Sequence, residues 1–417
     1  MTASDKSIAV IGAGAGGLMA AITAASLGRR VRLFDRMDKV GLKMGITGKG
    51  RCNLTNAAPI GEFIEKTPGN GRFLYSAYDQ YDNEDLLKDL HAWGLVTKVE
   101  RGGRVFPASD SAQEVRRLFM HLLGKYHVEL HLSEPAEQLI IKDGAISGVM
   151  TDKKTYPAGS VILATGGKSY PRTGSTGDGY RMAKAAGHTI ISPRPALVPL
   201  VCDGTMCQAL QGLPLKNVTL RVSAGGRRKA EEFGEMLFTH FGITGPVVLS
   251  LSDKVSLWLT QGHEVTGEID LKPALDEGTL DRRLVRDFTK FHARKMSGAM
   301  EELLPRRLIE AVLEAAGIEK DSAAAELTKA KRLALVHALK HLPLLITGTR
   351  PIEEAIVTAG GVSTKEIHSA TMESKLVRRL YFAGEVMDIH GFTGGYNLQA
   401  AFSTGHVAAV SAAGEQE

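Results

Sequence analysis

The sequence predicts an α/β fold: a Rossmann-like dinucleotide-binding domain, divided in the chain by an inserted β-rich and helical domain. Three observations predict it. A strand, a glycine turn, a helix, a second strand and an acid follow one another at the N-terminus. A second glycine-rich turn leads into an apolar helix near the C-terminus. Between about residues 191 and 354 the alternation of strand and helix gives way to another texture. At 417 residues the chain exceeds the size at which a single hydrophobic core stops growing, so more than one domain is expected.

The first element is Ser7 to Ile11, a strand apolar enough to be buried on both faces. Gly12 to Gly17 reads as a phosphate turn, Leu18 to Leu27 as the following helix, and Val31 to Phe34 as a second strand ending at Asp35. Gly12 permits the tight turn, Gly14 lets backbone approach a pyrophosphate, and Gly17, preceded by Gly16, lets helix and strand pack closely. The helix start offers unpaired N–H groups and the positive end of its dipole to the phosphates. Asp35 is placed to hold a ribose diol, with Arg36 beside it.

Val40 to Asn56 reads as a Gly- and Lys-rich loop. It carries Lys43 and then gathers Thr47, Gly50, Arg51, Cys52 and Asn53. Such a run suits a backbone wrapping an anionic or heteroaromatic ligand, with Arg51 as a bidentate donor. Cys52 is either a small buried apolar residue or a thiol acting at the ligand. A helix is expected over Asn83 to Gly94, and an amphipathic one over Ser111 to Tyr126, with Val115, Phe119 and Leu122 on one side. Short strands follow at Val128 to Leu132, Ala136 to Ile141 and Ala145 to Met150, with Asp143-Gly144 as a hairpin turn. Val161 to Ala164 is a continuous apolar strand. Thr165, Gly166 and Gly167 leave its carboxyl end, where open α/β sheets bind ligands, and a helix resumes at Tyr180 to Ala186.

Residues 1–190 are therefore the first part of the dinucleotide domain. Residues 191–272 form the inserted β-rich domain, with strands at Leu197 to Val201, Val218 to Val222, Val247 to Leu251 and Val265 to Leu271. Residues 273–342 form a helical subdomain, with helices at Leu280 to Met296, Pro305 to Ala316 and Leu327 to Lys340. Residues 343–354 are the return strand of the insert, and 355–417 complete the dinucleotide domain. There the strand Leu380 to Phe382 meets Gly384 and Glu385, with Asp388 next. Gly395 and Tyr396 then lead into a helix expected over Asn397 to Ala413, with Leu398 and Gln399 in its first turn. Glu385 and Asp388 can bond ribityl hydroxyls, and a helix start there favours the charge that reduction places on a flavin's pyrimidine edge. Tyr396 can equally be a core aromatic. A flavin held for the enzyme's lifetime is enclosed from both ends of a chain, so FAD is the expected dinucleotide.

Composition narrows the class. No run approaches the roughly 18 apolar residues that span a membrane, and Met1 to Lys6 shows no signal sequence, so a soluble cytoplasmic protein is expected. The three cysteines form no CxxC pair and the thirteen histidines no HExxH, so no metal is expected. A formal charge of +5 neither demands nor excludes nucleic acid. Residues 271–342 hold 14 Lys and Arg against 11 Asp and Glu, a balance of +3. Clusters such as Arg282-Arg283, Arg294-Lys295, Arg306-Arg307 and Lys329 to Arg332 are either solvated helix surface or a face that tracks phosphates.

Taken together, Gly12 to Gly17, Thr47 to Asn53, Gly103 to Pro107, Ala164 to Gly179, Phe238 to Pro246, Thr358 to Val362 and Gly384 to Gln399 resemble the bacterial BaiN/RdsA-type flavoproteins, also labelled aminoacetone-oxidase-like FAD-binding enzymes. The chain departs from that pattern at Gly45, where a larger aliphatic residue is expected. The resemblance implies a flavin domain with an inserted β plus helical domain and tightly bound FAD. It implies NAD(P)H-driven reduction of an activated C=C bond by hydride from flavin N5, on uridine in ribosomal RNA or on a steroid enone. Its other readings are an oxidase of a small amine such as aminoacetone and an RNA-binding flavoprotein without catalysis. With no second GxGxxG visible, NAD(P)H is expected to bind only transiently.

Purified protein is expected to be yellow, with about one FAD per chain released on heating, and Gly14→Val is expected to lose it because its methyls occupy the space the pyrophosphate needs. Absorbance spectra of both proteins check this; full flavin in Gly14→Val would leave the turn a purely structural role.

Overall fold

Ile8–Ile11 is apolar at every position, which leaves it no solvent-tolerant face, and it becomes the central strand β1 of a five-stranded parallel sheet. The protein is described here by a computed structural model covering residues 7–226 and 228–414; Met1 to Lys6, read above for a signal sequence, lies outside the described residues. The chain forms two units, Met1–Arg194 with Ile352–Glu417, and Pro195–Pro351.

In the first unit β2 (Val31–Phe34) and β3 (Glu129–His131) extend the sheet on one side of β1. On the other side lie β4 (Ser160–Leu163) and β5 (Leu380–Phe382), giving the order β5-β4-β1-β2-β3. Ile11 stands opposite both Phe34 and Leu163, so Gly12, Asp35 and Ala164 all emerge at one carboxyl edge. Helix α1 (Ala15–Ser26) follows β1 and packs against the last helix, α3 (Tyr396–Gly414), an interior partner that explains why both are small and apolar. The contact is close: a Cβ on Gly405 would lie 2.2 Å from the Gly16 carbonyl oxygen. The hairpin at Asp143-Gly144 pairs Lys142 with Ala145, both turn residues having positive φ.

The segment Val40 to Asn56 is not the continuous loop its composition suggests. Leu42–Gly50 forms a short helix, α2, broken at Thr47 to Lys49, and Thr55–Asn56 joins a three-stranded sheet with Arg104–Pro107 and Thr97–Val99. Glycine content signalled the break but hid the helical turn before it.

The second unit is a closed antiparallel barrel with helices packed on it. The strands Leu200–Cys202, Gly242–Thr244, Arg228–Thr239, Pro214–Ala224, Val265–Asp270 and Leu342–Thr349 follow one another around it, and the last pairs with the first. Val247 to Leu251, read as a strand, lies in the helix Pro246–Thr260. The β-branched run misled that reading: Gly245 turns the chain with φ 108°, Pro246 fits the first helical turn, and Val247, Val248, Leu251 and Val255 fall at helical spacing on a buried face. The single helix expected over Leu280 to Met296 is two, Glu277–Lys290 and Met296–Ala299. The first begins where Asp276 Oδ1 accepts from the Thr279 N–H at 2.6 Å. Among the described residues no helix is long and apolar enough to cross a membrane.

Gly405→Val is expected to cost at least about 1–3 kcal/mol, because backbone rather than a flexible side chain blocks the added Cβ. Urea unfolding measures it; an unchanged midpoint would mean that α1 and α3 separate freely.

Candidate functional site

At the carboxyl edge of the parallel sheet the first unit encloses a cavity of about 660 Å³, lined entirely by residues of that unit. Its floor is the turn after β1. Gly12 takes φ 102°, and a Cβ there would meet the Ala164 carbonyl oxygen at 2.4 Å. At Gly17 it would meet the Gly12 oxygen at 1.8 Å, so this residue sits in the helix–strand packing and not at the cavity wall. Gly14 differs: it lines the cavity, and a Cβ there would point into open space. It also starts α1 with no side-chain cap, so the first N–H groups of that helix remain for a ligand.

Asp35 lines the cavity beside this turn. Its Oδ2 accepts from the Ala13 N–H at 2.6 Å and its Oδ1 from the Met37 N–H at 2.7 Å. Burial raises its pKa, and the two N–H donors and Arg36 oppose that shift without overcoming it. Arg36 also lines the cavity but is turned to Asp178, at 2.8 Å, and to the Thr176 hydroxyl. On another wall Lys43 Nζ lies 2.6 Å from both Glu385 Oε2 and Ser169 Oγ, while the Thr358 N–H donates to Glu385 Oε1 at 2.8 Å. Thr47, Asn53, Ala164, Thr165, Gly166 and Gly384 complete these walls, and Gly16 lines the floor. The Thr165 hydroxyl is buried and has no hydrogen-bond partner among the described residues.

The C-terminal helix closes the cavity. Gly395, Asn397 and Leu398 line it, so the N-terminus of α3 and that of α1 reach the same space. Asn397 fixes the approach: its amide donates to Gly391 O at 2.7 Å and to Phe392 O at 3.1 Å, and its Oδ1 accepts from the Gly391 N–H at 2.7 Å.

Several expected site residues stand elsewhere. Tyr396 is buried, packs edge-on against Phe63 and donates to Glu62 at 2.8 Å. Gln399 is fully buried, accepting from the Thr55 hydroxyl at 2.7 Å and donating to Ser403. Asp388 accepts from Asn70 at 2.9 Å. Gly50 and Gly167 are absent from the lining; a Cβ on Gly167 would strike the Thr358 hydroxyl. Arg51 is engaged by Glu100 at 2.8 Å and Asp110 at 3.1 Å, and lies 4.1 Å over the Phe106 ring, so its charge is spent holding the segment together. Cys52 is fully buried behind the wall with φ 65°, and burial pushes its thiol up to about 12 against a hydrogen bond with Thr47. The lining also contains residues that the sequence reading gave no role, among them Arg104, Phe106 and His390. Gly103 to Pro107 is one of the segments that carry the family resemblance, but nothing in its composition places Phe106 against Gly48.

These features fit a dinucleotide. A glycine whose missing Cβ faces open space, an uncapped helix start, a carboxylate one strand away and a second helix start opposite supply partners for pyrophosphate, ribose and an electron-accepting ring.

Residues 6–411 match the family described as HI0933-like protein Rossmann domain. The chain is 33% identical over 410 residues to the 3-dehydro-bile acid delta(4,6)-reductase of Clostridium scindens, covering 97% of this chain and 98% of that one. It is 34% identical over 419 residues to the ribosomal RNA dihydrouridine synthase of Haemophilus influenzae, covering 96% and 97%. Among solved structures, the fold is similar to that of 3-ketosteroid-delta4-(5alpha)-dehydrogenase from Rhodococcus jostii RHA1 in complex with 4-androstene-3,17-dione. There the TM-score is 0.53 at 15% identity, over 97% of this chain and 96% of that one.

Cys52→Ala is expected to keep flavin and turnover. Burial pushes the folded thiol up to about 12 from the ordinary 9.0, so both states hold the proton below pH 9 and the contribution of burial is fully present there. As pH rises from 9 toward 12 only the unfolded thiol ionises, and stability falls by up to about 1.4 kcal/mol per pH unit. Urea midpoints of wild type are expected to drop faster than those of the variant over that window; loss of turnover in Cys52→Ala would return the thiol to the chemistry.

Proposed function

The chain belongs to the HI0933-like Rossmann-domain family and is an FAD-dependent oxidoreductase, and from that premise we propose that it reduces a C=C bond conjugated to a carbonyl, with uridine in RNA as the substrate class. The observation that carries the reading is the meeting of the α1 and α3 N-termini at one cavity, which suits a flavin dinucleotide held from both ends. The two relatives bear names that both denote saturation of a carbon–carbon double bond, and this supports the reaction type. When bound, FAD supplies the hydride equivalent for such a reduction.

The chain's own residues take the remaining parts. The α1 start and Gly14 backbone receive the pyrophosphate, Asp35 the ribose, and the Lys43–Glu385 pair orients polar groups on the cavity wall. The first turn of α3 favours negative charge at the flavin's pyrimidine edge. The proton needed beside the reduced carbon comes from a wall that offers the Tyr170 hydroxyl and the His390 imidazole, not from Cys52. NAD(P)H is the proposed electron donor, visiting the cavity and leaving before substrate, in a reducing cytoplasmic setting.

A specific observation keeps a second reading, reduction of a small enone: most basic residues of the inserted helices are already paired. Arg283 meets Asp287, Lys295 meets Asp321, Arg332 meets Asp281, and Arg307 donates to the Ala209 and Gln211 carbonyls. Arg306, 90% exposed, has only a long 4.0 Å pairing with Glu301.

The test is NAD(P)H oxidation under nitrogen with a ribosomal RNA transcript, together with dihydrouridine mapping in a deletion strain. Consumption and a lost dihydrouridine are expected. RNA affinity is expected to fall steeply with salt and several-fold in Arg282→Glu and Arg306→Glu. A flat salt response with turnover on a steroid enone would transfer the assignment to small molecules, and peroxide formation from aminoacetone in air without NAD(P)H use would make the protein an oxidase.

A further inference from the structure

In the second unit, one ligand atom from each of Glu277, His337 and His341 lies within 4.8 Å of the others. We propose that these three side chains form a binding site for a divalent transition-metal ion of the zinc type. Two imidazoles and a carboxylate suit such an ion better than magnesium or calcium, which take oxygen donors.

The backbone favours a cation here. His337 lies in the last turn of the helix Lys329–Lys340 and His341 ends it. Their rings stand side by side, centroids 4.8 Å apart and 27° between planes. Both imidazoles therefore sit at the negative end of that helix dipole. Glu277 approaches from the first turn of the helix Glu277–Lys290, its carboxylate 3.7 Å from His341 Nε2.

The orientation of His341 is the independent observation. Its Nδ1 lies 2.9 Å from Glu268 Oε2, on the strand Val265–Asp270. A carboxylate accepting from Nδ1–H fixes the tautomer that leaves Nε2 as the ligand atom, and this is the arrangement by which a metal-bound histidine is held. Glu268 is thus a positioning residue. Glu277 and His337 are exposed and His341 is partly so, which leaves an open path for the ion. Bound there, it would fasten together two helices remote in sequence, with His341 held in turn by Glu268 on a barrel strand. The chain pattern concealed this: His337 and His341 are four apart, but their acidic partner comes from a different helix.

The experiment is calorimetric titration of full-length, FAD-bound, EDTA-treated protein with zinc chloride, and in parallel with magnesium chloride. One zinc per chain is expected, with no comparable magnesium binding. His337→Ala and His341→Ala are each expected to weaken zinc at least about 10-fold, and Glu268→Ala about 10-fold without changing the stoichiometry. Zinc is also expected to raise the melting temperature of wild type, and not of the His337→Ala/His341→Ala double variant. Flavin content and circular dichroism establish folding, and His337→Gln/His341→Gln replaces the alanine pair if that pair fails to fold. Absence of zinc binding, equal magnesium binding, or binding that survives the double histidine change overturns the proposal.

Discussion

The closeness of the first and last helices of the first unit is the constraint on which the cavity depends. α1 and α3 touch backbone to backbone where Gly16 faces Gly405, and Gly16 also stands against the Ala401 carbonyl. Two helices in such contact cannot tilt independently, so fixing one N-terminus fixes the other. Just before α3, a Cβ on Gly395 would strike the Thr55 carbonyl at 2.2 Å, which locks the start of that helix to the segment holding Cys52 and Asn53. Backbone proximity thus converts two distant stretches of sequence into two walls of one space.

Electrostatics follow from that geometry. The helix starts bring positive potential to the cavity, and two of its carboxylates already have partners: Asp35 two backbone N–H groups, Glu385 Lys43 and the Thr358 N–H. Their remaining lone pairs stay available to hydroxyls, while the uncapped α1 start stays available to an anion. The site therefore offers acceptors and donors together, although burial of the Asp35 carboxylate is only partly offset by its N–H donors.

What the sequence disclosed was local. The order of strand, glycines, helix and Asp35 carries its own geometry, because each glycine is demanded by an atom a few residues away or by the neighbouring strand. The polar run from Thr47 to Asn53 did not disclose its roles, since polarity says only that side chains need partners. Arg51 found them in Glu100 and Asp110, and Gln399 in Thr55 and Ser403, through tertiary contacts that no spacing reveals. Val247 to Leu251 misled for the opposite reason: a β-branched run fits a strand or a buried helix face equally well, and Gly245-Pro246 decided for the helix.

Every residue lining the cavity comes from before Arg194 or after Ile352, so the segment Pro195–Pro351 supplies none of that lining. Its barrel closes on itself through Leu200–Cys202 and Leu342–Thr349, strands at its two ends, and so brings the entry and exit of the insert together. A unit joined in this way folds around its own core and leaves the register of the parallel sheet intact, because β4 and β5 pair directly across the interruption.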